Sequence, residues 1–198
     1  MKVLLALVAS LLVFLTALGT TTAEEEGFKS GVFDPPRAAP GFELKGSNGS
    51  TLTLQQFRGK VVIVQFGFSV CPRICPKTLA NLALAFEQLG TAASDVQAIF
   101  VTVDPERDTP ERLREFLQFF NPTFLGATGS EEKLSAVREA YGVIATKAIS
   151  EDKKLGYEVH HSSSIYLVDR EGMLRVLVPF GKSPEAIAHD LKLLLKKK

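Results

Sequence analysis

The sequence predicts a layered α/β domain whose central sheet is mixed. Segments 61–66 and 96–103 are rich in β-branched and apolar residues, which is typical of strands buried on both faces. A helical pattern follows each segment, and alternation of strands and helices indicates a layered α/β domain. Segments 164–168 and 174–179 flank a turn at 169–172, and this predicted hairpin adds antiparallel strands to the sheet.

Local signals along the chain predict the remaining elements. An N-terminal β-hairpin is predicted from 42–44 and 52–54, which flank an Asn-Gly turn at 48–49. Apolar residues at helical spacing predict a helix over 76–89.

Three later helices are predicted from their N-terminal caps. Thr109 precedes a proline, which is typical of the first position of a helix. Thr128 or Ser130 caps a predicted helix over 131–141, and Ser183, also followed by proline, precedes the last helix.

Composition favours one globular domain. The 198 residues can bury one substantial core, and 45% hydrophobic with 23% charged residues is ordinary for such a domain. With 23 basic and 22 acidic residues and no basic stripe interleaved with aromatics, nucleic acid is not an expected partner. We expect a signal peptide or N-terminal membrane anchor over 1–23, a linker over 24–39 and the folded domain over 40–198.

The first 23 residues resemble a targeting segment. Lys2 is followed by an apolar run over 3–18 and by small residues at 21–23. This run is short for a membrane span, which needs about 20 residues. A cleaved signal peptide is therefore favoured over an uncleaved anchor, and either predicts a periplasmic location or attachment to the outer face of the inner membrane. Residues 24–39, acidic and then rich in Gly, Pro and Ala, are interpreted as a linker or loosely packed arm.

Cys71 and Cys75 lie in the predicted turn between the first buried strand and its helix. Ligands of α/β sheets bind at this position, and a thiol pair there predicts a thioredoxin-like fold. Pro76 is expected to be the first helical residue, which would place Cys75 near the N-cap and lower its pKa. Arg73, between the cysteines, is expected to favour the thiolate as well.

The spacing of the cysteines leaves several functions open. Three intervening residues give the sulfurs room to bind a metal ion, although a disulfide remains possible. A thiol–disulfide oxidoreductase would use one cysteine to attack and the other to resolve. A peroxidase would need one thiolate of low pKa. A passive disulfide is disfavoured because so short a loop contributes little stability.

Two thiolates need a further ligand to complete a metal site. The chain has three histidines, and His189 is expected on the surface of the last helix. His160 and His161 are neighbours just before segment 164–168, so at most one of them can face a given site. Two thiolates and one imidazole suit copper, and zinc is also compatible with them.

Three motifs make the chain similar to the Sco/SenC family: the cysteine motif over 64–79, the Val-Asp-Pro-Glu-Arg-Asp-Thr-Pro run at 103–110 and the His-Ser-Ser-Ser segment that begins at 161. The resemblance covers roughly 38–195. It implies an exported or membrane-anchored copper protein of thioredoxin fold that helps to build the binuclear copper centre of cytochrome c oxidase. Such a protein delivers copper, reduces the acceptor cysteines, or does both.

The resemblance also implies a ligand set and partners. Cys71, Cys75 and His161 would bind one copper ion per monomer, as Cu(I), Cu(II) or both. The copper-site subunit of cytochrome c oxidase would be the main partner, with a second periplasmic copper chaperone or a thioredoxin-like reductase as further candidates. Conventional catalytic turnover is not expected, apart from thiol–disulfide reduction by Cys71 and Cys75.

Two residues depart from the family pattern. Arg73 and His160 both stand where members commonly have aspartate. We expect the loss of negative charge to favour the thiolate and Cu(I) over Cu(II). Asp104, Arg107 and Asp108 have two interpretations: they close a loop and cap a helix, or they lie near the cysteines and orient them or contact a partner.

Overall fold

The computed structural model describes residues 27–150 and 156–196. The strands are β1 (Gly31–Ala38), β2 (Glu43–Gly46), β3 (Thr51–Thr53), β4 (Val61–Gly67), β5 (Val96–Thr102), β6 (Leu125–Thr128), β7 (Ala145–Ile149), β8 (Tyr157–His161), β9 (Ile165–Val168) and β10 (Met173–Val178). The α-helices are α1 (Ile74–Leu89), α2 (Pro110–Gln118), α3 (Glu131–Tyr141) and α4 (Pro184–Lys196), and short 3-10 helices span Leu54–Phe57 and Gly90–Asp95.

Eight of these strands form one mixed sheet in the order β1-β10-β9-β4-β5-β6-β2-β3. Strands β4, β5 and β6 are parallel, whereas β9 pairs antiparallel with both β4 and β10. Every residue of β4 is buried, which explains its continuous apolar sequence. Helix α1 packs against α4, and α2 packs against β6. The predicted mixed α/β architecture is confirmed.

The predicted helix caps are largely confirmed. Thr109 accepts a hydrogen bond from the Arg112 N–H at 3.2 Å, and Ser130 accepts one from the Lys133 N–H at 3.3 Å. Helix α1 differs, because it begins at Ile74 rather than Pro76. Cys75 therefore lies inside the first helical turn, two residues after the cap residue Arg73, whereas the proline pattern placed it at the cap itself.

The segment 24–39, expected to be a linker or a loosely packed arm, contains in its described part an exposed strand rather than an unstructured linker. Residues Gly31–Ala38 form β1, which pairs antiparallel with β10. The pairing is irregular between Val32 and Arg37, the stretch that contains two prolines. Because proline cannot donate a ladder hydrogen bond, it is confined to edge strands such as β1, and its presence resembles a linker in sequence. Residues 1–26, with the predicted targeting segment, lie outside the described residues.

Strands β7 and β8 form a separate two-stranded ribbon that the sequence did not predict. Strand β7 is exposed at four of its five positions, and β8, although it alternates, has Val159 as its one buried residue, so neither carries the apolar pattern of a core strand. His160 and His161 end β8 rather than preceding the next strand directly. Across 27–150 and 156–196, no helix has the length and apolar character that crossing a bilayer requires.

Candidate metal and thiol centre

The cysteine segment, residues 68–75, connects the end of β4 to the first turn of α1. Gly67, the last residue of β4, lies against both the Phe100 ring and the Cys75 sulfur. A Cβ atom built on Gly67 would approach Phe100 to 2.6 Å and Cys75 Sγ to 2.8 Å. Such distances are closer than van der Waals contact allows, so glycine lets the Cys75 thiol pack against the end of the strand. Sequence reasoning missed this role, although Gly67 stands four residues before Cys71.

Both cysteines are free thiols buried in the protein. The exposed fraction is 9% for Cys71 and 1% for Cys75. The backbone N–H of Cys75 donates to Cys71 Sγ at 3.5 Å. Two buried thiols in direct contact share one hydrogen-bonded environment, so their protonation states depend on each other.

The environment of Cys71 favours its thiolate. The hydrogen bond from the Cys75 thiol, assisted by the backbone N–H groups of Cys75, Arg73 and Ile74, lowers the pKa of Cys71 to about 5 in spite of burial. The same hydrogen bond to Cys71, with burial, raises the pKa of Cys75 above its usual value. The expectation that Cys75 would have the lowered pKa is wrong, because the Cys75 thiol donates its hydrogen bond to Cys71 Sγ, where the N–H groups at the start of α1 also converge. The Arg73 side chain is exposed, and its residue contributes through its backbone.

His161 faces the cysteines from the ribbon. Its Nε2 atom lies 3.8 Å from Cys75 Sγ, and its Nδ1 atom lies 2.7 Å from the Ser162 carbonyl oxygen. Because a carbonyl can only accept, Nδ1 carries the proton and donates, which leaves the Nε2 lone pair of a neutral ring facing the sulfur. The Phe68 ring packs edge-on against the imidazole, with ring centroids 5.8 Å apart.

The other two histidines lie elsewhere. His160 is exposed and pairs with Thr146 across the ribbon, so the adjacent histidines point to opposite sides as predicted. His189 lies on α4, where its Nε2 atom is 3.1 Å from the Gly27 carbonyl oxygen.

The loop over 103–109, which follows β5, holds the cysteine segment through Asp108. This fully buried carboxylate accepts hydrogen bonds from the Ser69 N–H at 3.1 Å, from the Ser69 hydroxyl at 2.5 Å and from the Thr102 hydroxyl at 2.6 Å. Burial raises the pKa of Asp108, while these hydrogen bonds act in the opposite direction. Ser69 lies two residues before Cys71, so the Asp108 carboxylate holds the backbone in place where it approaches the thiol pair.

The same loop holds the ribbon through Asp104. This carboxylate is also fully buried, pairs with Arg107 Nε, and accepts a hydrogen bond from the Tyr157 hydroxyl at 2.6 Å. The Arg107 guanidinium lies 4.0 Å from the centroid of the Tyr157 ring and donates to the Tyr157 carbonyl oxygen at 3.2 Å. One loop therefore contacts both the cysteine segment and the strand that carries His161, which favours the orienting interpretation of these residues.

The donor atoms suit a soft metal ion, although they are not yet arranged as a closed set. Two sulfurs and one imidazole nitrogen are the ligands that copper and zinc prefer in proteins. Cys75 contacts both Cys71 and His161. Within the described part of the chain, however, no three His, Cys, Asp or Glu side chains already surround one point. Binding of an ion would draw the Cys71 sulfur and the His161 ring toward a shared centre.

Comparison with known proteins supports a relationship along most of the chain. Residues 33–196 match the family model described as SCO1/SenC. A SCO2-like protein of Rickettsia felis is 34% identical over 151 residues, covering 76% of this chain and 74% of the relative.

Solved structures of similar proteins share the fold. Copper-bound ScoI of Bradyrhizobium japonicum superposes with a TM-score of 0.72 at 34% identity, covering 79% of this chain and 99% of that one. Apo Sco1 of Thermus thermophilus gives a TM-score of 0.77 at 35% identity, covering 86% and 99%. BsSco, described as a Sco-family cytochrome c oxidase assembly protein with a disulfide switch, gives 0.64 at 25% identity, covering 82% and 96%.

Proposed function

Because the chain belongs to the SCO1/SenC family through residues 33–196, we propose that it is an exported copper-binding metallochaperone. Cys71, Cys75 and His161 bind one copper ion per monomer. The protein then delivers copper to the binuclear copper site of cytochrome c oxidase, reduces the cysteines of that site, or does both. The observation that carries the proposal is the 3.8 Å approach of His161 Nε2 to Cys75 Sγ, across 86 residues of sequence.

The protonation states of the three side chains fit this role. Cys71 supplies a thiolate near neutral pH, since its pKa is lowered to about 5. Cys75 is a thiol whose proton must leave when its sulfur binds a metal ion, so copper binding releases a proton. The hydrogen bond from Nδ1 of His161 to the Ser162 carbonyl selects the neutral tautomer whose Nε2 lone pair faces the sulfur. The two cysteine sulfurs and the imidazole nitrogen would hold the ion, and thiolate ligands favour Cu(I).

Anaerobic Cu(I) titration of the reduced protein tests the ligand set. We expect one copper per monomer and, for His161→Ala, an affinity lower by at least about 100-fold, because even partners outside the ligand set alter affinity 10- to 100-fold. His160→Ala is the matched control, since it removes the adjacent, outward-facing imidazole. Equal affinities of the two variants would contradict the assignment of His161.

Thiol–disulfide exchange is a second candidate, favoured by the unequal cysteines. The Cys71 thiolate attacks a partner disulfide and displaces one partner sulfur as thiolate, which forms a mixed disulfide. Cys75 then loses its proton and attacks Cys71 Sγ, so that both partner sulfurs leave reduced and Cys71–Cys75 is oxidised. Cys75→Ser should trap the mixed disulfide, and His161→Ala should leave the rate of the first attack unchanged. A rate that falls with His161→Ala would contradict a role for the thiols alone.

Export and partners belong to the same proposal. We place the folded domain in the periplasm or at the outer face of the inner membrane, with residues 1–23 as signal peptide or anchor. The copper-site subunit of the oxidase is the acceptor, and a second copper chaperone or a thioredoxin-like reductase supplies copper or electrons. Cell fractionation, with N-terminal sequencing of the recovered protein, tests the location. Recovery from the cytoplasm with an intact N terminus would contradict it.

A further inference from the structure

The outer edge of β8 lines a cavity beside Cys71. This cavity has a volume of about 390 Å³, and four consecutive residues of β8, from 157 to 160, contribute to its lining. Successive side chains of a strand point to opposite faces, so consecutive lining residues mean that the cavity runs along the edge of the strand. The backbone of β8 therefore forms one wall.

The register of the ribbon shows which backbone groups face this cavity. The Ser162 N–H donates to the Ile144 carbonyl at 3.0 Å, and the Ser150 N–H donates to the Gly156 carbonyl at 3.2 Å. Hydrogen-bonded pairs alternate in an antiparallel ladder, so the even-numbered residues of β8 bond to β7. The N–H and C=O groups of Tyr157, Val159 and His161 point away from β7. The contact of Arg107 with the Tyr157 carbonyl agrees with this orientation.

Val159 has unused hydrogen-bonding capacity on that edge. It is only 7% exposed, yet neither its N–H nor its C=O has a hydrogen-bond partner among residues 27–150 and 156–196. More than nine in ten buried backbone groups in proteins are paired. A strand edge with a buried, unpaired donor and acceptor is the arrangement to which an added strand binds.

The rest of the cavity indicates what the added strand carries. Its other lining residues include Cys71 itself and the apolar side chains of Phe68, Val70 and Ile74. Arg107 is ion-paired with the buried Asp104, so the exposed Arg73 is the cation that an acidic flank of the occupant would meet, and Glu158 also lines the cavity.

We propose that an acidic, cysteine-bearing segment of the client protein binds here in extended form, as an additional strand on the outer edge of β8, with its sulfur at Cys71 Sγ. The proposal rests on the thiol chemistry of the proposed function and adds the mode of client recognition. Backbone pairing gives affinity, Arg73 favours an acidic flank, and the register places one residue of the segment opposite Cys71.

A mixed-disulfide assay with full-length Cys75→Ser protein tests this mode of binding. The probe is a peptide of about eight residues, with a central cysteine activated as its thionitrobenzoate disulfide and flanked by Glu and Val. Cys71 attacks the peptide sulfur, the bond to thionitrobenzoate breaks, and the coloured thiolate leaves with the electron pair. Two further peptides carry backbone N-methyl groups, one at even and one at odd positions from the cysteine.

We expect one methylated peptide to react about tenfold more slowly and the other to match the parent, because only one edge of the peptide would pair with β8. Lys in place of Glu in the peptide should also slow the reaction. Equal rates for both methylated peptides, whether fast or slow, would overturn the proposal. Val159→Pro removes the outward N–H without removing a bond to β7, and should abolish the difference, while Val159→Ala keeps it.

Small-molecule controls separate this proposal from the proposed function. The disulfide of thionitrobenzoate alone measures the intrinsic reactivity of Cys71, and Cu(I) titration of the unmodified protein measures the metal site. Normal values for both, with no effect of backbone methylation, would overturn strand addition and leave the metallochaperone intact. Failure of Cys71 to react with the small disulfide would overturn the thiol branch of the function together with this docking mode.

Discussion

The two halves of the site are built in different ways. The cysteine segment joins β4 to α1, and each of its structural supports belongs to the buried core: Gly67 against Phe100, and Asp108 beneath Ser69. The ribbon of β7 and β8 lies outside the main sheet, and β8 reaches the core through the buried Val159 and through the contacts of Tyr157 with Asp104 and Arg107. The positions of the two thiols are thus fixed by the core, whereas the position of the His161 imidazole is fixed by a small peripheral ribbon.

This difference assigns separate roles to the cysteine segment and the ribbon. A thiolate must be held in a fixed cradle of N–H donors to keep its pKa low, which requires the rigid start of a helix. A ligand that closes on an ion and later releases it must change position at low cost, and a two-stranded ribbon with few core contacts can do so. Reactivity would then belong to the cysteine segment and retention of the ion to the ribbon.

The largest expected effect concerns the pH dependence of Cys71. With a pKa of about 5, Cys71 is almost fully thiolate at pH 7, whereas a thiol with the ordinary value of 9.0 would be about 1% ionised there. Iodoacetamide should alkylate the apo protein at a rate that is nearly constant above pH 6 and falls as pH drops through about 5. Mass spectrometry should place the label on Cys71.

His161→Ala sharpens this measurement. The hydrogen bonds that lower the pKa of Cys71 come from Cys75, Arg73 and Ile74, all in the cysteine segment. The alkylation profile of His161→Ala should therefore match the wild type. A profile that moves toward pH 8 in this variant would show that the two halves are coupled in the apo protein.

Two glycine substitutions, one beside the cysteine segment and one beside the ribbon, compare how much each region contributes to the free energy of unfolding. Gly67→Ala places a methyl group within 2.6 Å of the Phe100 ring and 2.8 Å of Cys75 Sγ, and should lower the free energy of unfolding by about 3 kcal/mol through overpacking. Gly156→Ala, next to β8, meets no atom of residues 27–150 or 156–196 within 4 Å but has a φ of +70°, so about 1 kcal/mol is expected from backbone strain. Urea unfolding measures both. A larger decrease in the free energy of unfolding for Gly156→Ala than for Gly67→Ala would contradict the view that the cysteine segment belongs to the core and the ribbon to the periphery.

The sequence predicted the cysteine segment better than the ribbon because the first is attached to buried core elements and the second lies at the periphery. Residues 61–66 are buried on both faces, so their continuous apolar sequence identifies a strand without knowledge of the neighbouring strands. Strand β8 alternates in burial, but Val159 is its one buried residue, so the apolar signal is too small to recognise in the sequence. Pairing within a peripheral ribbon depends on backbone register, which side-chain composition barely encodes.

The site was likewise predictable only in part. Cysteine and histidine are conspicuous in a sequence, so residue type and motif were enough to select Cys71, Cys75 and His161 as candidate ligands. Which thiol is the thiolate could not be predicted in this way, because the answer depends on where the N–H groups of the first helical turn converge. Tyr157 carried no signal, since its contact with Asp104 joins residues 53 positions apart.

Tyr157→Phe tests whether the ribbon depends on its link to Asp104. Removal of the hydroxyl leaves the buried Asp104 without one donor and should cost about 1 kcal/mol, which corresponds to roughly fivefold faster amide exchange at β8 residues bonded to β7. Exchange in β4 should not change. Tyr141→Phe removes a comparable hydrogen bond to the Pro40 carbonyl, at 3.0 Å, and serves as control. Equal effects of the two variants on the ribbon would refute a specific link.

The smallest expected effect comes from Arg73→Asp, which reverses the charge between the two cysteines. The Arg73 side chain is exposed, and its residue stabilises the Cys71 thiolate through a backbone N–H that the substitution retains. Reversal of an exposed charge should raise the pKa of Cys71 by only about half a unit at low salt, because water screens the interaction. The alkylation profile measures this shift, which should disappear at high ionic strength. A shift of more than one unit that persists in salt would mean that the arginine charge, rather than the helical N–H groups, sets the thiolate.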